Sequence, residues 1–415
     1  MSEKDVDIVR TTTWSAGAGC HGGCGVLAHI KDGKLIKIEG DPEHPWNQGR
    51  ICARCLAMTQ YVYHPDRLQR PLKRTGKRGE DKWQEITWDE AFDFVEKKMK
   101  GIREKYGAES MVFIQGTGRD IGGWQSMLAH AYGSPNWFFG LSGVACYTPR
   151  LMVMWSQQGD FCVADASQWL PKRYDDPDYR VPECIIVWGQ NLPASCPDAF
   201  FSHWLVDLMK RGSKLVVIDP RFTWLAARSE MWLQLRPGTD AALALAFANV
   251  IINEKLYDED FVKKWTNGHF LVRTDKGKKS LVRESDIVNG GDKNKFVVWD
   301  TTGNKPIIWD SSRAEYESGD VKPAFEGEYK LTLSNGEIAV CKTVWTLYLE
   351  RLSEYTPQRA SEITWVPADK IIEAARFYAR SKPAAIHWGL PIDTQTSTTP
   401  TAQSIANLWV LSGML

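Results

Sequence analysis

The sequence predicts an α/β protein: a small β-rich N-terminal module, then doubly wound α/β domains that carry a β-rich insertion. Three observations predict it. Cysteines crowd around a short hairpin in the first 55 residues, buried apolar runs alternate with helical patterns after residue 183, and a polar, turn-rich stretch follows residue 267. The predicted domains are residues 1–63, residues 64–182 continued by 343–415, residues 183–267, and the insertion 268–342.

The composition argues against several functional classes. Lys+Arg and Asp+Glu are both 51 in 415 residues, and no block of five or six like charges occurs, so we expect neither a nucleic-acid nor an anionic-membrane surface. No apolar run reaches the roughly 18 residues of a membrane span, and no export signal precedes Trp14. We therefore expect a cytoplasmic protein without a membrane span. The apolar, uncapped end at 406–415 suggests a truncated sequence.

The N-terminal module is predicted from a hairpin between two cysteine pairs. Brief β-like runs at Val26–Ile30 and Lys34–Glu39 meet at Asp32-Gly33, a strong turn signal. The flanking pairs are Cys20 with Cys24 and Cys52 with Cys55. This spacing suits a four-thiolate site for zinc or for a [4Fe–4S] cluster, and unligated thiols are a third option.

An αβ unit follows the module. Thr87 and Glu90 form a predicted capping box, and apolar residues at helical spacing continue to a stop at Gly107. A strand at Met111–Ile114 then runs into the glycine-rich loop at Gly116. The unit is therefore expected to place a flexible loop at the carboxyl end of a strand.

Two continuous apolar runs, Cys184–Trp188 and Lys214–Ile218, are typical of buried parallel strands, with a helix at Phe200–Lys210 between them. A helix capped by Thr239 or Asp240 follows, with one apolar face. This alternation predicts a doubly wound sheet, whose ligand crevice lies at the carboxyl ends of the strands.

Several groups that could contact a ligand are predicted at these carboxyl ends. They are Gly189, Asn191, Asp219, Arg221, Gly238 and Asp240. A carboxylate can accept from a ribose diol or a guanine edge, and an arginine can bind phosphate. Because G-x-G-x-x-G is absent here, a nicotinamide or flavin dinucleotide in the usual pose is disfavoured. Turn and cap roles for Asp219 and Thr239 are the alternatives.

Two further residues could carry chemistry. Cys146, in a stretch punctuated by Gly and Pro, is a small buried hydrophobe, a nucleophile or a thiolate ligand to a transition metal. Arg54, between the last two cysteines of the module, is a donor toward sulfide or an anionic cofactor, or a solvated surface arginine. Local sequence leaves these alternatives open.

Together these pieces resemble the dimethyl sulfoxide reductase family of molybdenum or tungsten enzymes that use bis(molybdopterin guanine dinucleotide), loosely the branch of catechol dehydroxylases and acetylene hydratase. The specific matches are Glu39-Gly40-Asp41-Pro42-Glu43-His44-Pro45, Gly49-Arg50-Ile51-Cys52, His64-Pro65-Asp66-Arg67-Leu68, Pro71-Leu72-Lys73-Arg74, Trp88-Asp89-Glu90-Ala91, Ile218-Asp219-Pro220-Arg221 and Arg236-Pro237-Gly238-Thr239-Asp240. The resemblance covers essentially the whole chain, with 268–340 its weakest part.

The resemblance implies a cofactor set and a site. It implies a [4Fe–4S] cluster rather than zinc in the N-terminal module, Arg54 between cluster and pterin, and Cys146 as the molybdenum or tungsten ligand. The guanine dinucleotide contacts that it implies are Gly189, Asn191, Asp219, Arg221, Gly238 and Asp240. It also implies a missing C-terminal barrel-like domain, without which the fragment is expected to be inactive.

Two departures from the family pattern matter. The place of the usual first cluster cysteine holds Ala16 and Gly17, and Cys55 stands where relatives usually carry Gly. Either Cys55 replaces the lost ligand or the cluster is absent. His21 stands where acetylene hydratases have an Asp, which argues against alkyne hydration and makes His21 a candidate proton donor.

The resemblance thus implies a reductase that removes oxygen or hydroxyl from a small substrate, with electrons delivered through the cluster. An aromatic substrate is compatible with the 19 tryptophans. A non-redox hydratase or transhydroxylase on the same cofactor and a zinc-stabilised α/β binding protein are the alternatives. An iron–sulfur electron-transfer subunit is an expected partner; the substrate and the choice of metal stay open.

Overall fold

A computed structural model describes residues 6–13, 23–45, 47–116, 122–139, 148–159, 177–195, 200–275, 277 and 279–414. Three predicted site residues, Cys20, His21 and Cys146, lie outside these ranges. The chain divides into two compact units. The first unit is drawn from residues 1–149, 165–179 and 190–211, and the second from residues 150–164, 180–189 and 212–415.

The elements alternate along most of the chain. The strands are β1 Asp7–Thr12, β2 Gly25–Lys31, β3 Lys34–Gly40, β4 Leu72–Arg74, β5 Trp83–Glu85, β6 Phe113–Gln115, β7 Trp137–Phe139, β8 Cys184–Trp188, β9 Lys214–Ile218, β10 Met231–Leu233, β11 Leu271–Arg273, β12 Ser280–Leu281, β13 Phe296–Asp300, β14 Lys305–Asp310, β15 Glu315–Tyr316, β16 Glu328–Thr332, β17 Ile338–Thr343 and β18 Ala384–Trp388. The helices are α1 Ala53–Leu56, α2 Met58–Val62, α3 Trp88–Tyr106, α4 Gly122–Tyr132, α5 Thr148–Gln158, α6 Leu192–Ser195, α7 Phe200–Lys210, α8 Asp240–Asn253, α9 Glu259–Trp265, α10 Glu284–Ile287, α11 Val344–Ser353, α12 Pro357–Thr364, α13 Ala368–Arg380 and α14 Thr398–Ser412.

The predicted N-terminal hairpin is confirmed. Asp32 and Gly33 both adopt positive φ, 51° and 73°, as the tight turn between β2 and β3 requires. The strand β1, which the sequence analysis missed, pairs antiparallel with β2 and completes a three-stranded sheet. The module is therefore β-rich, as expected.

The helix α3 begins with the predicted capping box. The backbone N–H of Glu90 donates to Thr87 Oγ1 at 3.2 Å, and the N–H of Thr87 donates to Glu90 Oε2 at 2.8 Å. Its apolar stripe, however, stays exposed, since no residue of α3 is buried. The strand predicted at Met111–Ile114 starts two residues later, because the N–H of Met111 still closes a 3₁₀ turn with the carbonyl of Ala108.

The second unit is built on a parallel sheet in the order β10-β9-β8-β18. The strands β8 and β9 are the two predicted apolar runs, and every residue of β8 is buried. This confirms the expected α/β architecture. The continuous apolar runs arise because such strands are covered on both faces.

The helix α8 lies at the centre of this unit. Eleven of its 14 residues are buried, so burial extends beyond the predicted face of Leu243, Phe247, Val250 and Ile251. The helices α11, α12, α13 and α14 all pack against it. Within this shell, the side-chain amide of Asn249 donates to the carbonyl of Leu352 at 2.9 Å. No local pattern in the sequence indicates these neighbours, which lie about a hundred residues further on.

The late segment 343–415 is connected differently from the prediction. Residues 343–415 were expected to continue the 64–182 domain, but β18 pairs in register with β8, from Ala384 opposite Cys184 to Trp388 opposite Trp188. The segment thus shares its sheet and core with residues 183–267. The final helix also ends at Gly413 in the left-handed conformation, φ 66°, so the expectation of an uncapped end was wrong.

Between these segments the chain is β-rich, as predicted. One antiparallel sheet has the order β12-β11-β17-β16, and another has the order β13-β14-β15. Leu271, Val297 and Leu331 are among the side chains of one core, while Phe270, Val298 and Ile307 form another. In the described part of the chain, no helix is both long and apolar enough to cross a bilayer.

His269 is a buried histidine in this β-rich region. Its side chain packs edge-on against the rings of Phe270, Trp309 and Tyr316, and neither ring nitrogen has a hydrogen-bond partner among the described residues. Burial lowers the pKa of His269 from 6.5 to about 4. The imidazole is therefore held neutral by its surroundings.

We expect acid to destabilise this region. As the pH falls from 6.5 towards 4, the unfolded chain binds a proton at His269 that the folded chain does not, which lowers the free energy of unfolding. The shift corresponds to about 3 kcal/mol. Urea unfolding of His269→Phe should lack this part of the pH dependence. The matched control, His64→Phe at an exposed site, should keep it; equal slopes in the two variants would contradict the prediction.

Candidate functional site

Three of the four module cysteines are in the described residues, all in the first unit. Cys24 directly precedes β2, Cys52 lies at the N-terminus of α1, and Cys55 lies within α1. Cys24 and Cys55 are buried, and Cys52 is half-buried. In the part of the chain that the structure describes, no three His, Cys, Asp or Glu side chains form a metal-binding group. Cys20, the fourth predicted ligand, lies outside that part.

The surroundings of Cys52 favour the thiolate form of its side chain. Burial by itself raises the pKa of its thiol, but hydrogen bonds from the backbone N–H groups of Cys55 and Arg54 and from the Arg54 side chain outweigh burial, and the pKa is lowered. The thiolate is the form that binds iron. The donor chemistry of the described cysteines therefore fits an iron–sulfur cluster, and Arg54 contacts a predicted ligand directly.

Asn47, which the sequence analysis missed, links the two cysteine-bearing segments. Its buried side chain accepts from the N–H of Gly25 at 2.8 Å, donates to the carbonyl of Gly25 at 3.0 Å, and donates to the carbonyl of Arg50 at 3.1 Å. Gly25 follows Cys24, and Arg50 precedes Cys52 by two residues. One side chain thus holds the backbones of both segments in place.

Close backbone packing also stabilises the region where the two cysteine-bearing segments meet. A Cβ atom on Gly40 would lie 2.1 Å from the carbonyl oxygen of Gly49, and one on Gly25 would lie 2.3 Å from the ring of His44. Both positions therefore require glycine. The carboxylate of Asp41, in the same turn, is buried and pairs with Arg10 at 3.0 Å.

Arg50 also joins the module to α7 within the first unit. Its guanidinium lies 2.6 Å from Asp207 Oδ2. His203, one turn earlier on α7, has a lowered pKa because it is partly buried and lies near the Arg50 charge, although Asp207 opposes this shift. The module is thereby fastened to a helix more than 150 residues away in sequence.

Five of the six predicted ligand-contact residues lie in the second unit, where Gly189 and Asp219 directly follow strands of the parallel sheet. The N–H of Gly189 donates to the carbonyl of Ile218 at 2.8 Å, and the N–H of Gly389 donates to the carbonyl of Trp188 at 2.8 Å. Gly189 adopts φ 61°, which favours glycine at this turn. The backbone therefore exits the neighbouring strands β9, β8 and β18 at the same edge of the sheet.

Asp219 and Arg221 form a turn at this edge. Asp219 Oδ1 accepts from the backbone N–H of Arg221 at 2.8 Å, and the Asp219 carbonyl accepts from Trp232 Nε1 at 2.9 Å. The turn role foreseen for Asp219 is thus present. The pair of a carboxylate and an arginine also fits a nucleotide, and that contact stays a prediction.

Asp240 is buried at the first position of α8. Trp188 Nε1 donates to Asp240 Oδ1 at 2.8 Å, and burial raises the pKa of the carboxyl group. Thr239 does not cap α8 with its side chain, since its hydroxyl donates to the carbonyl of Arg236 at 2.6 Å. Gly238, at φ 82°, has open space where a Cβ would stand. Asn191 belongs to the first unit, just before α6.

A buried ion pair that the sequence did not reveal fastens α5 to the end of β18. Arg150 Nε lies 2.7 Å from Asp393 Oδ2, and Arg150 Nη1 donates to the carbonyl of Trp388 at 2.6 Å. The side chain of Asp393 has no exposed surface, and that of Arg150 is 12% exposed. Sequence offers no signal for this pair because 243 positions separate its members.

Comparison with known proteins supports both parts of the candidate site, the cysteine-bearing module and the carboxyl edge of the parallel sheet. Residues 67–415 match the family described as molybdopterin oxidoreductase, and residues 10–64 match its Fe4S4 domain. The chain belongs to the molybdopterin oxidoreductase family. The predicted family resemblance and the expectation of a molybdopterin cofactor and a 4Fe–4S cluster are thus confirmed.

The relatives are enzymes of this family. The chain is 31% identical over 457 residues to dopamine dehydroxylase of Eggerthella lenta, covering 90% of the chain and 42% of that protein. It is 32% identical over 411 residues to perchlorate reductase subunit alpha of Dechloromonas aromatica, with 89% and 42% covered. The structure of acetylene hydratase from Pelobacter acetylenicus matches with a TM-score of 0.64 at 26% identity, covering 98% of the chain and 43% of that protein. The chain therefore spans less than half the length of these relatives.

We expect Asn47→Ala to destabilise the packing of the two cysteine-bearing segments against each other. The change leaves buried backbone groups of Gly25 and Arg50 without partners, which costs about 1–3 kcal/mol for each stranded group. Iron per chain and the urea midpoint should both fall. The control, Asn335→Ala in an exposed turn, removes a side-chain acceptor for Glu337 N–H and should change neither. Unaltered iron content in Asn47→Ala would refute the role of Asn47.

Asp393→Ala should destabilise the second unit strongly. Removing the carboxylate leaves the guanidinium of Arg150 buried without its counter-charge, and such changes cost about 3–5 kcal/mol. Glu254→Ala, which breaks the more exposed pair with Arg376, should cost less than about 1 kcal/mol. Chemical denaturation measures both. If the two variants lost similar free energies of unfolding, burial of the Arg150–Asp393 pair would add nothing to stability.

Proposed function

We propose that the protein is a bis(molybdopterin guanine dinucleotide) oxidoreductase that removes oxygen or hydroxyl from a small substrate. The main support for this proposal is the set of residues at the carboxyl edge of the parallel sheet, in a chain that belongs to this family. That edge gathers Gly189, Asp219 and the turn before α8, where an open sheet of this kind binds nucleotides. The cofactor, when bound, supplies the two-electron chemistry.

Each predicted site residue has a proposed role. Arg221 is suited to phosphate and Asp219 to the guanine or ribose. The dinucleotide contacts proposed from the sequence are Gly189, Asn191, Asp219, Arg221, Gly238 and Asp240. The carboxylate of Asp240 already has hydrogen bonds with Trp188 Nε1, with the Gln395 side chain and with the backbone of Gly238, and its contact with the ligand is proposed in addition to these.

The metal and cluster ligands are proposals of the same kind. Cys146 is proposed to bind molybdenum or tungsten through its thiolate. The cluster ligands are proposed to be Cys20, Cys24, Cys52 and Cys55, with Cys55 replacing the ligand lost at Ala16 and Gly17. The lowered pKa of Cys52 and the burial of Cys24 and Cys55 support this assignment. Arg54 is proposed to lie between the cluster and the pterin.

Reductive dehydroxylation of an aromatic substrate is the favoured reaction. A relative that is 31% identical bears the name dopamine dehydroxylase, which supports this direction. His21 is the proposed proton donor, and a His21→Ala variant with full turnover would remove it from the mechanism. Electrons would come from a separate electron-transfer subunit, since a relative is itself named as a subunit alpha. A cytoplasmic location is proposed as well.

A non-redox hydratase is the second candidate, favoured by the structural similarity to acetylene hydratase. Dependence of turnover on an electron donor separates the two candidates. The zinc-stabilised binding protein has no support from the family match.

We expect the full-length parent protein, purified without oxygen, to hold about four Fe and about one Mo or W per chain. Cys55→Ser should lower the iron content and leave Mo or W in place, because oxygen is a poorer ligand for iron in such clusters than thiolate. Elemental mass spectrometry measures both. In the control, Cys341→Ala, a buried cysteine of the β-rich region is changed and the iron should remain.

Other metal contents give clear alternatives. Mo or W without Fe would favour non-redox chemistry and reject the cluster assignment. Zinc alone would reject the proposed function as a whole. Full iron in Cys55→Ser would show that another residue is the fourth ligand.

A further inference from the structure

Residues 67–78 form a strongly basic surface in the first unit, which we call the basic hairpin because it leads into and includes β4. Half of these 12 residues are Lys or Arg, and none is Asp or Glu. All six basic residues are exposed: Arg67, Arg70, Lys73, Arg74, Lys77 and Arg78. These basic residues form no run of like charges in the sequence, because other residues are interleaved with them.

The charge of the basic hairpin is not neutralised locally. Among the residues that the structure describes, none of its six basic side chains forms an ion pair, and the nearby Glu80 pairs instead with Lys82 at 3.4 Å. The whole chain has no net charge, so a local excess of six positive charges is a marked asymmetry. Such a surface attracts acidic molecules over a distance of about 10 Å at moderate ionic strength.

The basic hairpin is also a well-defined structure. β4 pairs antiparallel with β5, and the N–H of Thr75 donates to the carbonyl of Lys82 at 2.9 Å. The ammonium of Lys73 lies 5.3 Å from the centre of the Phe94 ring on α3. Its charges are therefore presented on a fixed backbone, which favours a specific contact over loose attraction.

One end of the basic hairpin lies against the module that carries the cysteines. The guanidinium of Arg67 lies 5.5 Å from the centre of the Tyr61 ring. Tyr61 belongs to α2, which begins three residues after Cys55. At the end of α2, the hydroxyl of Tyr63 accepts from the N–H of Leu35 on β3 at 2.8 Å. One end of the positive surface thus lies against the helix that follows Cys55, a proposed cluster ligand.

Apolar side chains accompany the charges. Tyr61, Leu68 and Trp83 are 54%, 70% and 53% exposed. Arginine and aromatic side chains together are enriched where proteins bind proteins. This mixture favours an acidic protein over a simple polyanion as the occupant.

We propose that the basic hairpin is the docking surface for an acidic iron–sulfur electron carrier that reduces the [4Fe–4S] cluster. The inference rests on the proposed function, since only a chain that holds the cluster needs such a donor. In each encounter the reduced carrier loses one electron and the cluster gains it. Two encounters supply the two electrons that, with two protons, replace a hydroxyl by hydrogen and release water.

The test uses the holoenzyme and a charge-reversal triple variant, Arg70→Glu/Arg74→Glu/Arg78→Glu. The control, Lys279→Glu/Lys293→Glu/Lys330→Glu, makes the same change in net charge at exposed lysines of the β-rich region. Stopped-flow absorbance measures the second-order rate of cluster reduction by an acidic ferredoxin at several salt concentrations. Reduced benzyl viologen, a small reductant, and iron per chain report whether the cluster is intact.

We expect the wild-type rate with ferredoxin to fall steeply as salt is added. The hairpin variant should react about tenfold or more slowly at low salt and lose most of the salt dependence, while the control keeps both. At high salt, where the positive charge of reduced viologen is screened, all three proteins should react equally with it. A glutamine version, Arg70→Gln/Arg74→Gln/Arg78→Gln, should lie between, which guards against a folding defect in the reversal.

Other results overturn the proposal in distinguishable ways. Equal ferredoxin rates in the hairpin variant and the control would exclude the basic hairpin as the docking surface. Loss of binding to a single-stranded oligonucleotide or to anionic vesicles, with ferredoxin rates unchanged, would assign the surface to another class of partner. Absence of iron from the wild-type protein would instead reject the proposed function.

Discussion

The pairing of β18 with β8 is the interaction on which the second unit depends. It joins segments 200 residues apart in parallel register. Once β18 is in place, Trp188 is fully buried and α8 is enclosed by helices from the same late segment. Burial of one such large side chain contributes about 1.5–3 kcal/mol, so the enclosed cluster accounts for a large favourable term.

The same pairing sets the geometry of the candidate site. With β18 beside β8, the turns at Gly189 and Gly389 come together, and Arg150 reaches the carbonyl of Trp388 and the carboxylate of Asp393. The buried hydrogen bond between Trp188 and Asp240 then ties the start of α8 to the end of β8. Each of these contacts belongs to the edge where ligands of open parallel sheets bind.

Sequence reasoning succeeded where the cause is local. The turn at Asp32-Gly33, the capping box of α3 and the apolar runs of β8 and β9 depend on residues close together in the chain, and all four are present in the structure. It failed where the cause is distant. The enclosure of α8 and the partner of β18 depend on residues that no local pattern identifies.

The candidate site follows the same division. Residue types and spacing predicted the two cysteine pairs and the ends of β8 and β9, and the family match supports the cofactors that they imply. Asn47 and the pair of Arg150 with Asp393 were missed, because a lone Asn or Arg carries no signal until its partner is known. The basic hairpin was missed because interleaved charges do not form a run.

The late position of β18 has a consequence for synthesis on the ribosome. The chain makes β8, β9 and β10 long before residues 384–388 emerge, so one edge of an apolar sheet waits unpaired while the β-rich region is made. At roughly 5–20 residues per second, the 200 residues from Trp188 to Trp388 take about 10–40 s. An unpaired apolar edge readily pairs with other chains. During that interval the β8 edge is open to pairing with other chains, and β18 closes it when the two strands pair.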